Sequence, residues 1–397
     1  MPSALSEKKG LVLSLTSIGH FINDGNFFLL PTIYSLMVKS FGFSNVLVGI
    51  IASVYFGLSA AASPFVGWFT TRRPKEGIGL GLALWAAGMA LLGYAIAAGS
   101  IPLIFAAVVV DGVASAFYHP LGSALLSAAY EGSAGGAMGI NGAAGSVGRA
   151  LYPYVTTLLF VALGHNIELA LWILALISAV AALPLFLIRL PSVHFVKRPG
   201  SGDARLGFPV AVVALLTTMS FLRAAFQQSI TQFLPTLLVQ EFGYSFNPSL
   251  GLAVTTSFAA AIVGQPVFGL ISDRVGRRAA FALAGAGTIA AFFAMLFRPS
   301  YLTYFALGFF AYSMFPVVMA LTNDYVPQHA SGFAGSLVWG LGGSIGGVVG
   351  PLATGYLSSF VGLGYAMALM TILAAASVLL VVTLPPPPRK ARVPLFM

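Results

Sequence analysis

Long apolar runs separated by short polar breaks fill this chain from end to end. Runs long enough to cross a bilayer as a helix, about 20 residues, stand at 11–38, 44–70, 77–98, 101–130, 135–163 and 167–189. A second series follows at 208–240, 247–272, 279–297, 301–325, 331–359 and 363–384. The pattern predicts an all-α membrane protein with twelve transmembrane helices in two six-helix bundles. The single long polar interruption, 191–207 with Lys197, Arg198, Pro199, Gly200 and Asp203, divides a first bundle (1–190) from a second (208–397). Pro385 to Pro388 end the last helix and begin a short disordered tail.

The two series repeat one another. Gly67-Trp68-Phe69-Thr70-Thr71-Arg72-Arg73 closes the second run, and Gly269-Leu270-Ile271-Ser272-Asp273-Arg274-Val275-Gly276-Arg277-Arg278 closes the eighth. Each glycine follows a proline, Pro64 or Pro266, by three residues. Gly142-x-x-Gly145-Ser146-x-Gly148 in the fifth run matches Gly340-x-x-Gly343-Ser344-x-Gly346 in the eleventh, with Pro153 answering Pro351. Small residues at this spacing let backbones approach closely in lipid, either as static packing or as a sliding surface between the halves. Pro31 and Pro235, and Pro120 and Pro316, predict matched bends in the first, seventh, fourth and tenth helices. Two homologous bundles around a central site are a transporter's arrangement.

Composition narrows the class further. Hydrophobic residues make up 58% of the chain and charged residues only 7%, with a mean hydropathy of +0.94. A soluble protein carries about a quarter of its residues charged, so lipid is the solvent here. The net charge of +9 is topological. With twelve spans, 15 of the 19 Lys and Arg fall on the side of the termini; Lys39 and Arg298 fall opposite, and Arg149 and Arg223 lie inside spans. This asymmetry predicts a multi-pass protein of the inner (plasma) membrane with both termini cytoplasmic, and argues against nucleic-acid binding. There is no cysteine, no phosphate-binding loop, and five scattered histidines. The expectation is a monomer without metal or cofactor, not an enzyme, energised by an ion gradient or by its substrate.

Ionisable groups inside spans are costly and mark pathways or partners. Asp24 and His20, four residues apart, share a helix face and form a candidate proton-handling pair; a polar knot with a neighbouring helix is the alternative. His119 either faces the cavity or bonds a carbonyl freed by Pro120, and Tyr118 beside it supplies an aromatic wall. Asp111 and Arg149 come to similar depth on neighbouring helices, so they form a buried salt bridge or contact substrate and proton directly. Arg223 has Gln227 one turn on and no acid in its own helix. It either receives an anion through its planar fork or pairs with Asp24 across the cavity. Asp273, Arg274, Arg277 and Arg278 form a candidate latch on the cytoplasmic side, for which Thr71 offers no first-half counterpart.

The twelve spans, the two halves and the G-x-x-x-D-R-x-G-R-R loop resemble the major facilitator superfamily over essentially the whole chain. His20-Phe21-Ile22-Asn23-Asp24, Phe117-Tyr118-His119-Pro120 and Pro327 resemble its fosmidomycin-resistance branch, with Leu121 where that branch carries Glu. The resemblance implies alternating access with spans 1, 4, 7 and 10 lining the cavity. Its exporters exchange a small compound for protons. The chain is therefore expected to be a proton-coupled antiporter that effluxes a small anionic or amphipathic, drug-like compound, and the alternative is an uptake symporter or exchanger for an organic acid. Arg223, Arg149, His119, Tyr118, Gln227 and Asn23 are the expected substrate contacts. Asp24, His20 and Asp111 are the expected proton carriers.

Overall fold

The computed structural model describes residues 5–70, 73–130, 134–191, 208–327 and 330–387. The expected linker (191–207) beyond Pro191, together with Thr71, Arg72 and the tail beyond Pro387, lies outside the described residues. Six helices form the first half: α1 (Lys9–Phe41), α2 (Asn45–Thr70), α3 (Pro74–Ala97), α4 (Ile101–Tyr130), α5 (Ala134–Ala162) and α6 (Ile167–Leu187). Six form the second: α7 (Val210–Glu241), α8 (Pro248–Val275), α9 (Arg277–Phe297), α10 (Tyr301–Tyr325), α11 (Ser331–Val361) and α12 (Leu363–Leu380). The chain starts and ends on one side, the terminal face; the other is the distal face.

Among the described residues, ten of these helices are long and apolar enough to cross a membrane; α1 and α5 fall short. α1 buries the polar Asn23, Asp24 and Asn26 in the bundle. The first half of α5 is rich in glycine, which lowers its hydropathy, although Ile140, Val147 and Leu158 still present an apolar surface.

The halves repeat their packing. α1 lies on α5 as α7 lies on α11, and α2 on α4 as α8 on α10. The glycine motifs explain the first pairing. A Cβ at Gly148 would strike the carbonyl oxygen of Phe21, and one at Gly346 would stand 2.8 Å from that of Phe221. The motif glycines Gly145, Gly148 and Gly346 therefore serve packing inside each half, not the surface between halves.

The halves meet along α1/α7, α2/α11 and α5/α8. Asn45 Nδ2 donates to Gln240 Oε1 at 3.2 Å, Ser53 Oγ to the Val348 carbonyl at 2.6 Å, and Thr255 Oγ1 to the Ala150 carbonyl at 2.6 Å. These contacts run from the distal helix ends to mid-depth, so the distal side is sealed and the terminal side is parted.

Two helices depart from regular geometry where the site needs it. α10 breaks at Tyr312–Ser313, between Ala311 and Met314. Pro316 has no N–H for the Tyr312 carbonyl, and Gln265 Nε2 donates to that oxygen instead at 3.2 Å. α11 widens to a π-turn over Ser336–Leu341, a distortion found most often at functional positions. On the terminal face, Lys8 and Lys75 donate to the carbonyls of Arg189 and Ile188 beyond the end of α6. Cations there suit the negative end of that helix.

Candidate functional site

The largest cluster of charge inside the membrane gathers on Asp24. Its carboxylate is buried, at 3% exposure, and three helices converge on it. Arg149 from α5 donates through Nη2 to Asp24 Oδ2 at 3.1 Å. His20 Nε2, one turn away on α1, stands 3.5 Å from Oδ2, and His119 Nε2 from α4 stands 3.5 Å from Oδ1. Asn23 Nδ2 donates to Oδ1 at 3.2 Å, and the Trp85 indole N–H in turn donates to Asn23 Oδ1 at 3.0 Å.

His20 is held in one orientation. Its Nδ1 lies 2.9 Å from the backbone carbonyl oxygen of Asn141, which only accepts, so Nδ1 carries a hydrogen. The ring stacks on Tyr118 at 4.5 Å, and Gly145 makes room for its edge. Nε2 then faces Asp24 either as a lone pair or as a second N–H. One proton converts this junction from two acceptors facing each other to a charge-assisted hydrogen bond. Asn141 was not foreseen from the sequence; an amide within the glycine-rich stretch of an apolar span was the available signal.

His119 is 61% exposed at its side chain although it lies inside the bundle, so it lines the cavity open toward the terminal face. Tyr118 and Asn23, expected as substrate contacts, do not. Tyr118 is buried, donating to the Thr16 carbonyl at 2.8 Å and bonded to the Asn141 side chain; Asn23 is spent on Asp24 and Trp85. Both position the cluster.

Arg149 does not pair with Asp111. The two reach similar depth, but the Asp111 carboxyl points toward α3 at Gly88, away from α5, and both of its oxygens lack a hydrogen-bond partner. Equal depth did not mean facing sides. Nor does Arg223 pair with Asp24, whose oxygens are already occupied. Arg223 donates through Nη1 to Gln227, lies 5.2 Å over the Trp339 ring in the π-turn of α11, and leaves Nε without a partner. A buried planar cation held against an aromatic face with one donor unpaired is suited to an anion that reaches it.

Arg149 also touches the seam between the halves. Its guanidinium lies 4.6 Å over Phe28, and Phe28 packs edge-on against Phe258 of α8 at 5.1 Å. Ala150, the next residue, accepts the Thr255 bond across the seam.

The histidines are not all scattered. His20, Asp24 and His119 bring three metal-ligating atoms within 4.8 Å of one another. Arg149 lies against the same carboxylate, and its fixed positive charge disfavours a dication there.

The expected latch is assembled differently from its motif. Arg277 Nε bonds Asp324 Oδ2 at 2.9 Å, while Asp273 stands 3.6 Å from Arg277 and is more than half exposed. Arg278 donates to the Tyr325 hydroxyl at 2.5 Å, and that hydroxyl donates to the Pro385 carbonyl at 2.7 Å. Arg274 is exposed. The partner that sequence reasoning missed is Asp324, at the end of α10.

Two bundles of six helices with charged groups gathered at mid-membrane between them define a membrane transporter, not an enzyme. The family model of the Major Facilitator Superfamily matches residues 16–250 and 218–396, and the chain belongs to that family. It is 26% identical over 356 residues to the fosmidomycin resistance protein of Escherichia coli (strain K12), covering 86% of each chain. It is 31% identical over 154 residues, 39% of its length, to the uncharacterised MFS-type transporter YfnC of Bacillus subtilis (strain 168). The fold matches a bacterial homologue of the human lysosomal transporter Spinster, in an inward-facing occupied conformation, with a TM-score of 0.78 at 15% identity over 94% of this chain and 96% of that one. It also matches the nucleoside transporter NupG, with a TM-score of 0.73 at 17% identity over 95% and 98%.

Proposed function

We propose that the chain is a proton-coupled secondary transporter of the bacterial inner membrane, with both termini cytoplasmic, which exports a small organic anion by alternating access. The observation that carries this reading is the junction of Asp24 with Arg149 and His20, open to the cavity through His119. The proton resides on the His20–Asp24 junction. Arg149 and Arg223, from opposite halves, grip the anion. Asp24 offsets one of these two cations, so the cavity carries one net positive charge for a monovalent anion to neutralise. An anion that draws Arg149 away from Asp24 pulls on Phe28 and on the α5/α8 seam, which gives binding a means of opening the distal seal. With the termini in the cytoplasm, a bundle parted on the terminal face is open to the cytoplasm. Export is supported by the likeness to the fosmidomycin resistance protein of Escherichia coli, since removing a drug from the cell is one route to resistance.

Uptake of an organic acid together with protons is favoured by one feature. A proton arriving at Asp24 frees Arg149, so proton and anion assist each other's binding. Affinity that rises as pH falls marks this reading; affinity that falls marks exchange.

The test is flux in proteoliposomes under imposed pH gradients of both signs, with fosmidomycin and a panel of organic carboxylates and phosphonates as probes. Flux of at least one probe driven by the gradient, and lost in Asp24→Asn, supports the proposal. Flux of every probe indifferent to the gradient overturns it.

A further inference from the structure

A second carboxyl lies apart from the cavity. Asp111 is 0% exposed, and neither oxygen has a hydrogen-bond donor or a cation against it. The carboxyl occupies a socket made by Gly88 of α3, where any Cβ would collide with Oδ1. The titratable groups within electrostatic reach of it are Tyr34 from α1 and Tyr55 from α2, both buried. Among the described residues, neither hydroxyl has a hydrogen-bond partner. Depth separates Asp111 from Asp24. Asp111 lies about 15 Å from the distal end of α4, whereas Asp24 lies about 25 Å from that of α1, at 1.5 Å per residue.

A bare carboxylate in so dry a place has nothing to offset its lost hydration, whereas a neutral carboxylic acid carries no charge to desolvate. We propose that Asp111 is a second proton-binding site of the transport cycle, holding its proton while the distal side is sealed and exchanging it with water of the distal face when the seam opens. The inference rests on the proton-coupled reading and adds a position to it. The His20–Asp24 junction keeps its own proton, and Asp111 takes up and releases a second one with the distal water. In the release step the Asp111 O–H bond breaks and the proton passes to water; loading is the reverse.

The test is infrared spectroscopy of the whole protein in lipid vesicles, with no substrate added. The carbonyl stretch of an un-ionised carboxyl is resolved from carboxylate bands, and it shifts when deuterium replaces the proton. At neutral pH the wild type should show this band. Asp24→Asn should keep it and Asp111→Asn should lose it. Gly88→Ala, which fills the socket, should displace it. The chain contains no cysteine, so Asn45→Cys with Gln240→Cys can be bridged by a thiol cross-linker to lock the distal seal. The deuterium shift should slow at least tenfold when the bridge is made and recover when it is cleaved. Absence of the band, its survival in Asp111→Asn, or equal exchange with and without the bridge overturns the inference. These readouts need no flux, so they fail independently of the proposal above. Gradient-driven flux with no Asp111 band leaves coupling standing and removes only this site.

Discussion

Arg149 donates to Asp24 at 3.1 Å from a helix that also holds the seam between the halves, while Asp111, at the depth where Arg149 was expected to find its partner, has none. One acid is neutralised by a fixed cation beside the cavity; the other is left in a dry socket. The first predictions follow from this difference.

Removing Arg149 leaves the Asp24 carboxylate buried beside two imidazoles. Breaking a buried pair from one side costs about 3–5 kcal/mol, and the lower end applies because the Arg149 side chain is one-fifth exposed. Arg149→Gln should therefore lower thermal stability in detergent by about 3 kcal/mol. Arg149→Gln with Asp24→Asn should recover most of the loss. Additive losses in the double variant would show that the two side chains are not coupled.

Among the described residues no acid pairs with the buried Arg223, so an anion that reaches its guanidinium finds an uncompensated cation. Arg223→Gln should weaken binding of an anionic probe about tenfold, the ~1.4 kcal/mol order of one charge-assisted hydrogen bond, with little change in melting temperature. Trp339→Ala should act in the same direction by loosening the cation. Unchanged anion affinity in isothermal titration would remove Arg223 from the site.

Helix contact predicts an asymmetry within the glycine motif. Gly148→Ala would push α5 off the Phe21 carbonyl and carry Arg149 away from Asp24. Overpacking of this kind costs about 1–3 kcal/mol, and transport should fall with it. Gly142→Ala meets nothing within 4 Å and should be neutral in both assays. Equal effects at the two positions would contradict the packing described.

At the terminal face, Arg277 reaches Asp324 more closely than Asp273. Asp324→Asn should therefore change transport rate more than Asp273→Asn. Stability should move by no more than about 1 kcal/mol in either case, as for other exposed pairs. The comparison of initial rates in vesicles decides it, and a larger effect at Asp273 would restore the order implied by the motif.

Helix number, order and approximate ends were legible in the sequence, because hydropathy reports directly on burial in lipid. The glycine repeats identified which helices approach closely, although their spacing could not say whether the contact lay within a half or between halves. The gathering of His20, His119 and Asp24 was legible only in part, since residues on separate helices meet through rotation about each axis. Hydropathy does not report that rotation. For the same reason Arg149 was matched with Asp111 by depth, while the faces of α4 and α5 sent one to Gly88 and the other to Asp24. The π-turn that presents Trp339 to Arg223 leaves no local signature beyond a run of small residues.

The central claim, that the Asp24–Arg149–His20 junction couples a proton to the movement of an anion, is tested most directly by following lumenal pH in proteoliposomes with a trapped dye as each probe anion is added. The account predicts a pH change that accompanies flux of at least one probe in the wild type and is absent in Asp24→Asn and His20→Gln. Flux of that probe with the same proton movement in both variants would contradict it.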